Sequence, residues 1–259
     1  MLQTSLHGQP EEEKVKMNAR SSTSNDPPTV FAPAAGYANA SPLAKIDSFS
    51  KIIAIGNSRV VTEGTFIHRA GDHFRSVYFL RSGAAKRSLI TEDGREQVLG
   101  FPMSGELIGL EAIDADMHTT TVVAHDLCVL VEIPYKALEM LAAQDSEVAG
   151  FLFRAMSSAL REEHGWLAAL GLLSSEGRLA AFLMDLSQRF AARGFSPRRF
   201  AMRMTRAEIG CFLGLTIETV SRVFSKFQKI GLLNVARRDI EILDIKALMA
   251  LAQVRNTLH

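Results

Sequence analysis

Cysteine is scarce in this chain, which has two in 259 residues, and the two lie in unrelated contexts. Cys128 and Cys211 are too far apart to form a CxxC pair, so we expect neither a disulfide framework nor a cysteine-based zinc site. Long apolar runs are also missing, because a run such as residues 166–173 falls far short of the roughly 18 residues that span a membrane. The beginning of the chain has three consecutive glutamates and no apolar segment, which predicts a soluble, cytoplasmic protein.

A strong charge of one sign is absent as well, because 29 basic and 28 acidic residues give a net charge of +1. The signatures of common enzymes are missing too, including a P-loop, a nucleophile elbow, a cluster of metal ligands and a Rossmann glycine pattern. We therefore predict that the protein is not an enzyme and holds no metal or other cofactor. What remains is ordinary globular composition, 47% hydrophobic and 22% charged, with enough apolar material for about two cores.

The chain divides into segments that differ in composition and in the spacing of their apolar residues. Residues 1–44 are rich in Ser, Asn, Pro, Ala and Gly, which predicts a disordered tail. Residues 45–140 contain short alternating apolar runs separated by glycine turns, with Gly83, Gly94 and Gly105 at eleven-residue intervals. This pattern is typical of a small antiparallel β-roll or jelly roll.

A helical period follows, and we assign residues 141–173 to one long helix. Its apolar stripe predicts contact with a second copy of the chain, because a long helix between two compact regions needs a partner for that stripe. The alternative is packing against the β domain of the same chain. The predicted dimer interface comprises Leu152, Met156, Ala159, Leu160 and Leu167.

Residues 174–259 form the last predicted domain, which opens with a helix over 175–193 that ends at Gly194. Within it, residues 198–238 hold nine basic residues and two acidic ones, a net charge of +7 that suits binding to a phosphate backbone. A capping box made by Thr205 and Glu208 begins a short helix that Gly214 ends. Thr216 then caps a second helix, so the pattern predicts a helix-turn-helix.

The second helix of this motif carries a polar face opposite its apolar one. Glu218, Ser221 and Arg222 project together near its N-terminal end, where base edges are contacted in the major groove. Arg222 can donate two hydrogen bonds to guanine, and Glu218 can accept one from cytosine. These three side chains are therefore the predicted base contacts.

A hairpin, or wing, follows the motif, because two apolar runs at 232–235 and 240–243 flank a basic tip. A final short helix over 244–254 closes the domain, and the whole chain is predicted to have an α+β fold. Contacts to the DNA backbone would position the protein without specifying sequence. The candidates for those contacts are Arg206, Thr216, Thr219, Ser225, Lys226, Arg237 and Arg238.

The sequence resembles the Crp/Fnr family of bacterial transcription regulators, and within that family the Fnr branch. In the C-terminal domain the resemblance rests on RFA at 189–191, RGFSP at 193–197, MTR at 204–206, LGLTIETVSR at 213–222 and FQK at 227–229. In the β domain it rests on AGD at 70–72, RSG at 81–83, EQVLGF at 96–101, GELIG at 105–109 and EIP at 132–134. The resemblance covers residues 45–255.

The resemblance implies a β-roll sensor of the cyclic-nucleotide-binding type, a long dimerisation helix and a winged helix-turn-helix, in agreement with the division above. It also implies a homodimer on double-stranded DNA that activates transcription by contacting RNA polymerase, with residues 96–101 and 194–198 as candidate surfaces. In the Fnr branch the residues matching Glu218, Ser221 and Arg222 contact a TTGAT half-site, so the implied operator is TTGAT-N4-ATCAA. Repression by occlusion stays open, because promoter position decides it.

This chain lacks most of the residues that bind the known effectors of the family. Fnr holds an iron–sulfur cluster on three N-terminal cysteines and one in the sensor domain, whereas this chain has none before Cys128 and has Val131 at the fourth position. For cyclic nucleotide, Glu106 matches the ribose-binding glutamate, but MHTT at 117–120 replaces the Arg-Ser pair that binds the cyclic phosphate. We therefore predict neither effector.

Other signals stay open. The histidines of the β domain, which some relatives use for haem, show no spacing that singles out a ligand: His68, His73, His118 and His125. Cys211 is a candidate redox switch, and the alternative is a small buried apolar residue. We favour a dimer that binds DNA without a ligand, as in cluster-free relatives resembling FixK, over one gated by an unidentified effector. A sensor that acts on proteins would explain the β-roll but not the polar helix face.

Overall fold

The computed structural model describes residues 47–253. The tail predicted at residues 1–44 lies outside them. A short helix, α1 (Asp47–Ala54), leads into eight strands: β1 (Asn57–Val61), β2 (Phe66–His68), β3 (Ser76–Ser82), β4 (Ala85–Ile90), β5 (Glu96–Gly100), β6 (Glu106–Ile108), β7 (Thr121–Ala124) and β8 (Cys128–Pro134). A turn of 3-10 helix (Leu110–Ala112) follows β6.

The eight strands form two four-stranded antiparallel sheets, with orders β1-β8-β3-β6 and β2-β7-β4-β5. Side chains alternate along each strand, so one face of each sheet contributes to an apolar core that includes Leu80, Val122 and Leu130. Gly94 has a φ of 79° at the turn between β4 and β5, a conformation that favours glycine. The predicted antiparallel β-roll is thereby confirmed.

The predicted single helix over 141–173 is two helices, α2 (Tyr135–Gln144) and α3 (Ser146–Leu172). Asp145 separates them because its backbone is extended, and its carboxylate accepts hydrogen bonds from the amides of Glu147 and Val148. The first turns of α3 pack against α1, α2 and the outer face of β8, where Phe151 is buried. The predicted start at 141 was therefore wrong, because an aspartate cap interrupts the period.

The C-terminal part contains α4 (Ser175–Ala192), β9 (Arg199–Ala201), α5 (Arg206–Leu213), α6 (Ile217–Lys229), β10 (Leu233–Ala236), β11 (Asp239–Ile242) and α7 (Ile245–Ala252). The predicted wing is the β10–β11 hairpin, and β9 adds a third strand to it in the order β10-β11-β9. The sequence analysis missed β9, because three residues are too few to show a period. The pairing of Phe200 with Ile240 buries both side chains in the domain core.

The sensor and DNA-binding parts share one apolar core. Phe101, which follows β5, contacts Phe182 of α4 and Phe212 of α5, and Trp166 of α3 lies 4.7 Å from Phe212 between ring centroids. Edge-to-face aromatic pairs of this kind stabilise packing beyond the area that they bury. The helix-turn-helix is therefore packed on the β-roll rather than tethered to it.

A buried ion-pair network joins the same two parts. The Glu106 carboxylate of β6 accepts two hydrogen bonds from Arg189 of α4, at 2.9 and 3.0 Å, and another from Arg193. Arg189 also donates to the carbonyl of Phe101 at 2.7 Å, and its other guanidinium nitrogen lies 3.4 Å from Asp185. Burial raises the pKa of Asp185 to about 6, although Arg189 opposes this shift.

We predict that Asp185→Asn becomes more stable relative to the parent chain as the pH rises from 4 to 7. The folded-state pKa of Asp185 lies above its unfolded value, so the folded chain holds this proton more tightly and loses stability as the pH rises from about 4 to about 6. The variant lacks this loss, which is worth up to about 3 kcal/mol. Urea unfolding at several pH values measures it. Asp114→Asn, at an exposed position, is the control, and a stability difference independent of pH would contradict the prediction.

Candidate nucleic-acid interface

The helix-turn-helix is built by local capping. The Thr205 hydroxyl accepts from the amide of Glu208 at 3.2 Å, and the Glu208 carboxylate accepts from the amide of Thr205 at 2.9 Å. Gly214 ends α5 with a φ of 63°, and Thr216 caps α6 through the amide of Thr219. All of these caps agree with the sequence prediction.

The turn between the two helices also needs a glycine inside α5. A Cβ at Gly210 would lie 2.6 Å from the carbonyl oxygen of Leu215, closer than backbone contacts allow. The Gly210 carbonyl accepts a hydrogen bond from the amide of Leu215 at 2.8 Å. Gly210 therefore lets the chain turn back tightly enough to start α6 at Ile217.

The second helix, α6, has two distinct faces. Its apolar face, with Val220, Val223, Phe224 and Phe227, is buried in the core. The predicted base contacts Glu218, Ser221 and Arg222 are all exposed on the other side. The backbone amide of Glu218 and the Thr216 hydroxyl lower the pKa of the Glu218 carboxyl, which is therefore an ionised acceptor at neutral pH.

Most of the predicted backbone contacts lie around this face. Arg237 and Arg238 are exposed at the β10–β11 turn, where Arg237 has a φ of 57°. Lys226 is exposed and pairs with Glu176 of α4 at 2.5 Å. Thr216, Thr219 and Ser225 lie along α6, with Thr219 half-buried and the Ser225 hydroxyl donating to the carbonyl of Ser221 at 3.0 Å.

Arg206 is less exposed than its predicted role suggests. Its guanidinium lies 3.3 Å above the centroid of the Phe224 ring, so it stacks between α5 and α6. Burial lowers the pKa of Arg206 to about 10. Arg206 is therefore less accessible than most of the other predicted backbone contacts, and its contact with phosphate stays a prediction.

The side of α5 that faces away from α6 contacts the β-roll. Glu208 pairs with His125 at 3.1 Å and with Lys86 of β4 at 3.4 Å, in addition to capping its own helix. Burial disfavours the charged form of Lys86, but its pairs with Glu96 and Glu208 raise its pKa. These contacts were missed from the sequence, where Glu208 showed only its capping role.

Cys211 lies at the centre of this contact. Its thiol donates to the carbonyl of Glu96 at 3.0 Å and accepts from the amide of Val98 at 3.3 Å. The Gln97 side chain donates to the carbonyl of Cys211 at 2.8 Å. Strand β5 therefore packs in part against α5, whereas Glu96 and Gln97 stay exposed, and a contact of residues 96–101 with RNA polymerase stays a prediction.

The candidate effector groups of the β-roll are largely engaged within the chain. The Glu106 carboxylate, matched by resemblance to a ribose-binding glutamate, accepts from the amide of Met103 in addition to its two arginine partners. Cys128 is buried, and burial raises the pKa of its thiol to about 11. That thiol donates to the carbonyl of Ala84 at 3.2 Å, as a structural cysteine does.

The α3 helix leaves an apolar face uncovered in the single chain. Of the predicted dimer residues, Met156, Leu160 and Leu167 are exposed, and Ala159 is half-buried. Leu152 is half-buried and packs against the core formed by α1, α2 and β8, so part of its side chain is already covered within the same chain. Phe153, which is 71% exposed, was missed, although its seven-residue spacing to Leu160 and Leu167 is the signal of a helix seam.

Among residues 47–253, no helix combines the length and the apolar character that crossing a membrane requires.

Two family models match the chain. A Crp-like helix-turn-helix domain matches residues 177–251, and a cyclic nucleotide-binding domain matches residues 58–145. The first spans α4 through the wing to α7, and the second spans the β-roll and α2.

The curated relatives are regulators. The fumarate and nitrate reduction regulatory protein of Vibrio cholerae is 40% identical over 210 residues, which cover 81% of this chain and 83% of that protein. The transcriptional activator protein anr of Pseudomonas aeruginosa is 40% identical over 207 residues, which cover 80% and 84%.

Solved structures agree with these matches. The structure of FixK2 from Bradyrhizobium japonicum matches with a TM-score of 0.70 and 28% identity, covering 76% of this chain and 97% of that one. These similarities extend over both the β-roll and the helix-turn-helix. The chain belongs to the Crp/Fnr family of DNA-binding transcription regulators.

Proposed function

We propose that this regulator binds a TTGAT-N4-ATCAA inverted repeat as a homodimer and activates transcription from it. The observation that carries the proposal is the exposed face of Glu218, Ser221 and Arg222 on a capped α6. The relatives at 40% identity include a protein named as an activator, which supports activation and contact with RNA polymerase.

The chemistry of α6 suits a G·C pair within the half-site. The Arg222 guanidinium offers two parallel donors that match O6 and N7 of guanine, and the ionised Glu218 accepts from N4 of cytosine. Ser221, between them on the same face, suits a base or phosphate oxygen. Arg237, Arg238 and the hydroxyls of α6 then supply phosphate contacts that fix the register.

The apolar face of α3 supports the homodimer. Phe153, Leu160 and Leu167 repeat every seven residues, and Met156 lies between the first two, which is the pattern of a helix paired with a second helix. A two-fold dimer places two recognition helices in the two halves of an inverted repeat. Dimerisation and the operator symmetry are therefore parts of one proposal.

Control by protein abundance, without an effector, is the mechanism that we favour, and the groups that are engaged or missing support it. The Glu106 carboxylate is bonded to Arg189 and Arg193, and MHTT at 117–120 supplies no arginine for a cyclic phosphate. The two cysteines give too few thiolates for a four-thiolate cluster.

A second candidate mechanism is gating by oxidation of Cys211. The Cys211 thiol lies within hydrogen-bond distance of the β5 backbone on both sides, so an added oxygen atom would force α5 away from the β-roll. Cys128 is buried with a raised pKa and is the less reactive thiol.

We predict that Arg222→Ala weakens binding to the TTGAT-N4-ATCAA duplex by about 1–3 kcal/mol while leaving binding to a duplex with exchanged G·C pairs nearly unchanged. Fluorescence anisotropy of the aerobically purified, ligand-free protein on both duplexes measures this difference. Lys229→Ala, which changes an exposed charge at the end of α6, is the control and should affect both duplexes equally. Equal loss on both duplexes for Arg222→Ala would overturn the base assignment.

We predict that Leu160→Glu converts the protein to a monomer, because a charge is placed at the centre of the apolar α3 face. Leu160 is 55% exposed in the single chain, so the fold of each protomer should survive the change. Sedimentation measures the mass of the protein in solution. The affinity for the operator should fall when the dimer is lost. Arg161→Glu, at the neighbouring exposed position, is the control that should stay dimeric. A dimeric Leu160→Glu would argue for another interface.

We predict that, under the oxidation mechanism, peroxide weakens operator binding by the parent chain but not by Cys211→Ser. Cys128→Ser is the matched control and should remain as sensitive as the parent chain. Anisotropy before and after reduction with dithiothreitol measures the effect. An equal response of Cys211→Ser and the parent chain would end this mechanism and leave control by abundance.

A further inference from the structure

Two histidines are buried together in the β-roll. His68 ends β2 and is 4% exposed, and His118 lies just before β7 and is 3% exposed. Their rings are stacked, with centroids 3.8 Å apart and planes inclined by 20°. Neither the core packing nor the proposed DNA contacts give this pair of polar rings a role.

The ring nitrogens of this pair lack the partners that buried polar groups need. Within residues 47–253, three ring nitrogens have no hydrogen-bond partner: Nδ1 and Nε2 of His68, and Nδ1 of His118. The backbone of Thr120 lies near His68 and favours its protonated form, but no hydrogen bond of normal geometry joins it to the ring. Leaving three buried nitrogens unpaired is costly. Each neutral ring has one nitrogen with a lone pair, so an electron-pair acceptor that binds one nitrogen of each ring would reduce this cost.

A carboxylate completes the cluster. Glu111, on the 3-10 turn after β6, contributes an oxygen, and one ligand atom from each of Glu111, His68 and His118 lies within 4.8 Å of the others. The Thr120 hydroxyl donates to Oε1 of Glu111 at 2.7 Å, an outer contact of the kind that orients a metal-binding carboxylate.

The surrounding charge favours a cation over an anion. The charged groups that act on both rings are the carboxylates of Glu111 and Asp72. Burial lowers the pKa of His68 to about 4 and also lowers the pKa of His118.

The backbone holds these residues in place. The amide of His118 donates to the carbonyl of Asp72 at 2.9 Å, and the amide of Gly71 donates to the carbonyl of His118 at 2.8 Å. A Cβ at Gly109 would lie 3.2 Å from the His118 ring, so the 3-10 turn that carries Glu111 approaches this histidine closely. The backbone hydrogen bonds and the close packing therefore fix the positions of His118 and of the turn that carries Glu111.

We propose that His68, His118 and Glu111 bind one divalent first-row transition ion, such as Fe²⁺ or Zn²⁺. Two imidazoles and one carboxylate suit these ions, and three protein ligands leave a coordination position for an exogenous molecule. Two ligand atoms of one such ion lie about 3.3 Å apart, whereas those of this cluster lie within 4.8 Å of one another, so the side chains must close by at most about 1.5 Å. The sequence analysis predicted no metal, because 43 residues separate His68 from Glu111.

The test measures metal binding by the full chain after removal of adventitious metal with a chelator. Anaerobic Fe²⁺, Zn²⁺, Co²⁺ and Mg²⁺ are added separately, the protein is desalted, and retained metal is measured by mass spectrometry. We expect one Fe²⁺, Zn²⁺ or Co²⁺ per chain, a raised melting temperature, and visible absorption from bound Co²⁺. Mg²⁺ should not be retained, because it prefers oxygen ligands. Retention of none of the transition ions would overturn the proposal.

Variants assign the binding to this cluster. Glu111→Gln keeps an oxygen that can accept from Thr120, so its melting temperature without metal should match the parent chain, while its affinity for Zn²⁺ should fall by at least about tenfold. His118→Gln should lose binding in the same way. His73→Gln removes an exposed histidine of the same domain and is the control that should keep parental affinity. Unchanged affinity in both Glu111→Gln and His118→Gln would overturn the assignment.

Discussion

The buried pairing of Glu106 with Arg189 and Arg193 fixes how the two halves of the molecule meet. One partner comes from the β-roll and two come from α4, and all three side chains are almost completely enclosed. Separating them without water or new partners would leave uncompensated charges in the interior, which costs several kcal/mol. The rotation of α4 on the β-roll is therefore strongly constrained, and α5 and α6 are placed by α4. The direction in which the recognition helix faces depends on this contact.

A second contact makes the coupling continuous. In the sheet ordered β2-β7-β4-β5, Thr121 of β7 pairs with Ser88 of β4, and Ser88 pairs with Val98 of β5. The amide of Val98 then donates to the thiol of Cys211 on α5. One row of paired residues thus crosses the sheet from β7, which follows His118, to the first helix of the helix-turn-helix. A displacement of β7 would therefore be transmitted through β4 and β5 to α5, because packed interiors transmit strain.

Local features of the DNA-binding domain could be predicted because their causes lie within a few residues. The capping box at Thr205, the left-handed Gly214 and the Thr216 cap each depend on neighbours three or four positions away, and the structure has all three. The partners of Glu106, the stacking of Arg206 on Phe224 and the position of Leu152 could not be predicted, because each depends on a distant element. For the same reason four scattered histidines gave no pattern, although the pairing of β2 with β7 brings two of them together.

The division between local and distant causes also explains how this chain can keep an Fnr-like recognition helix while lacking the cluster cysteines. The proposed base contacts need only one helix with Glu218, Ser221 and Arg222 on its exposed face, so they do not depend on what the β-roll binds. A ligand of the β-roll changes DNA binding only if it has different affinity for two arrangements of the domains. Because Glu106 and β5 hold one arrangement through buried charges and packed backbone, such a ligand must offset the cost of breaking those contacts. A sensor domain of this kind therefore favours the single arrangement that these contacts hold, and strong coupling to an effector would require tight, state-selective binding.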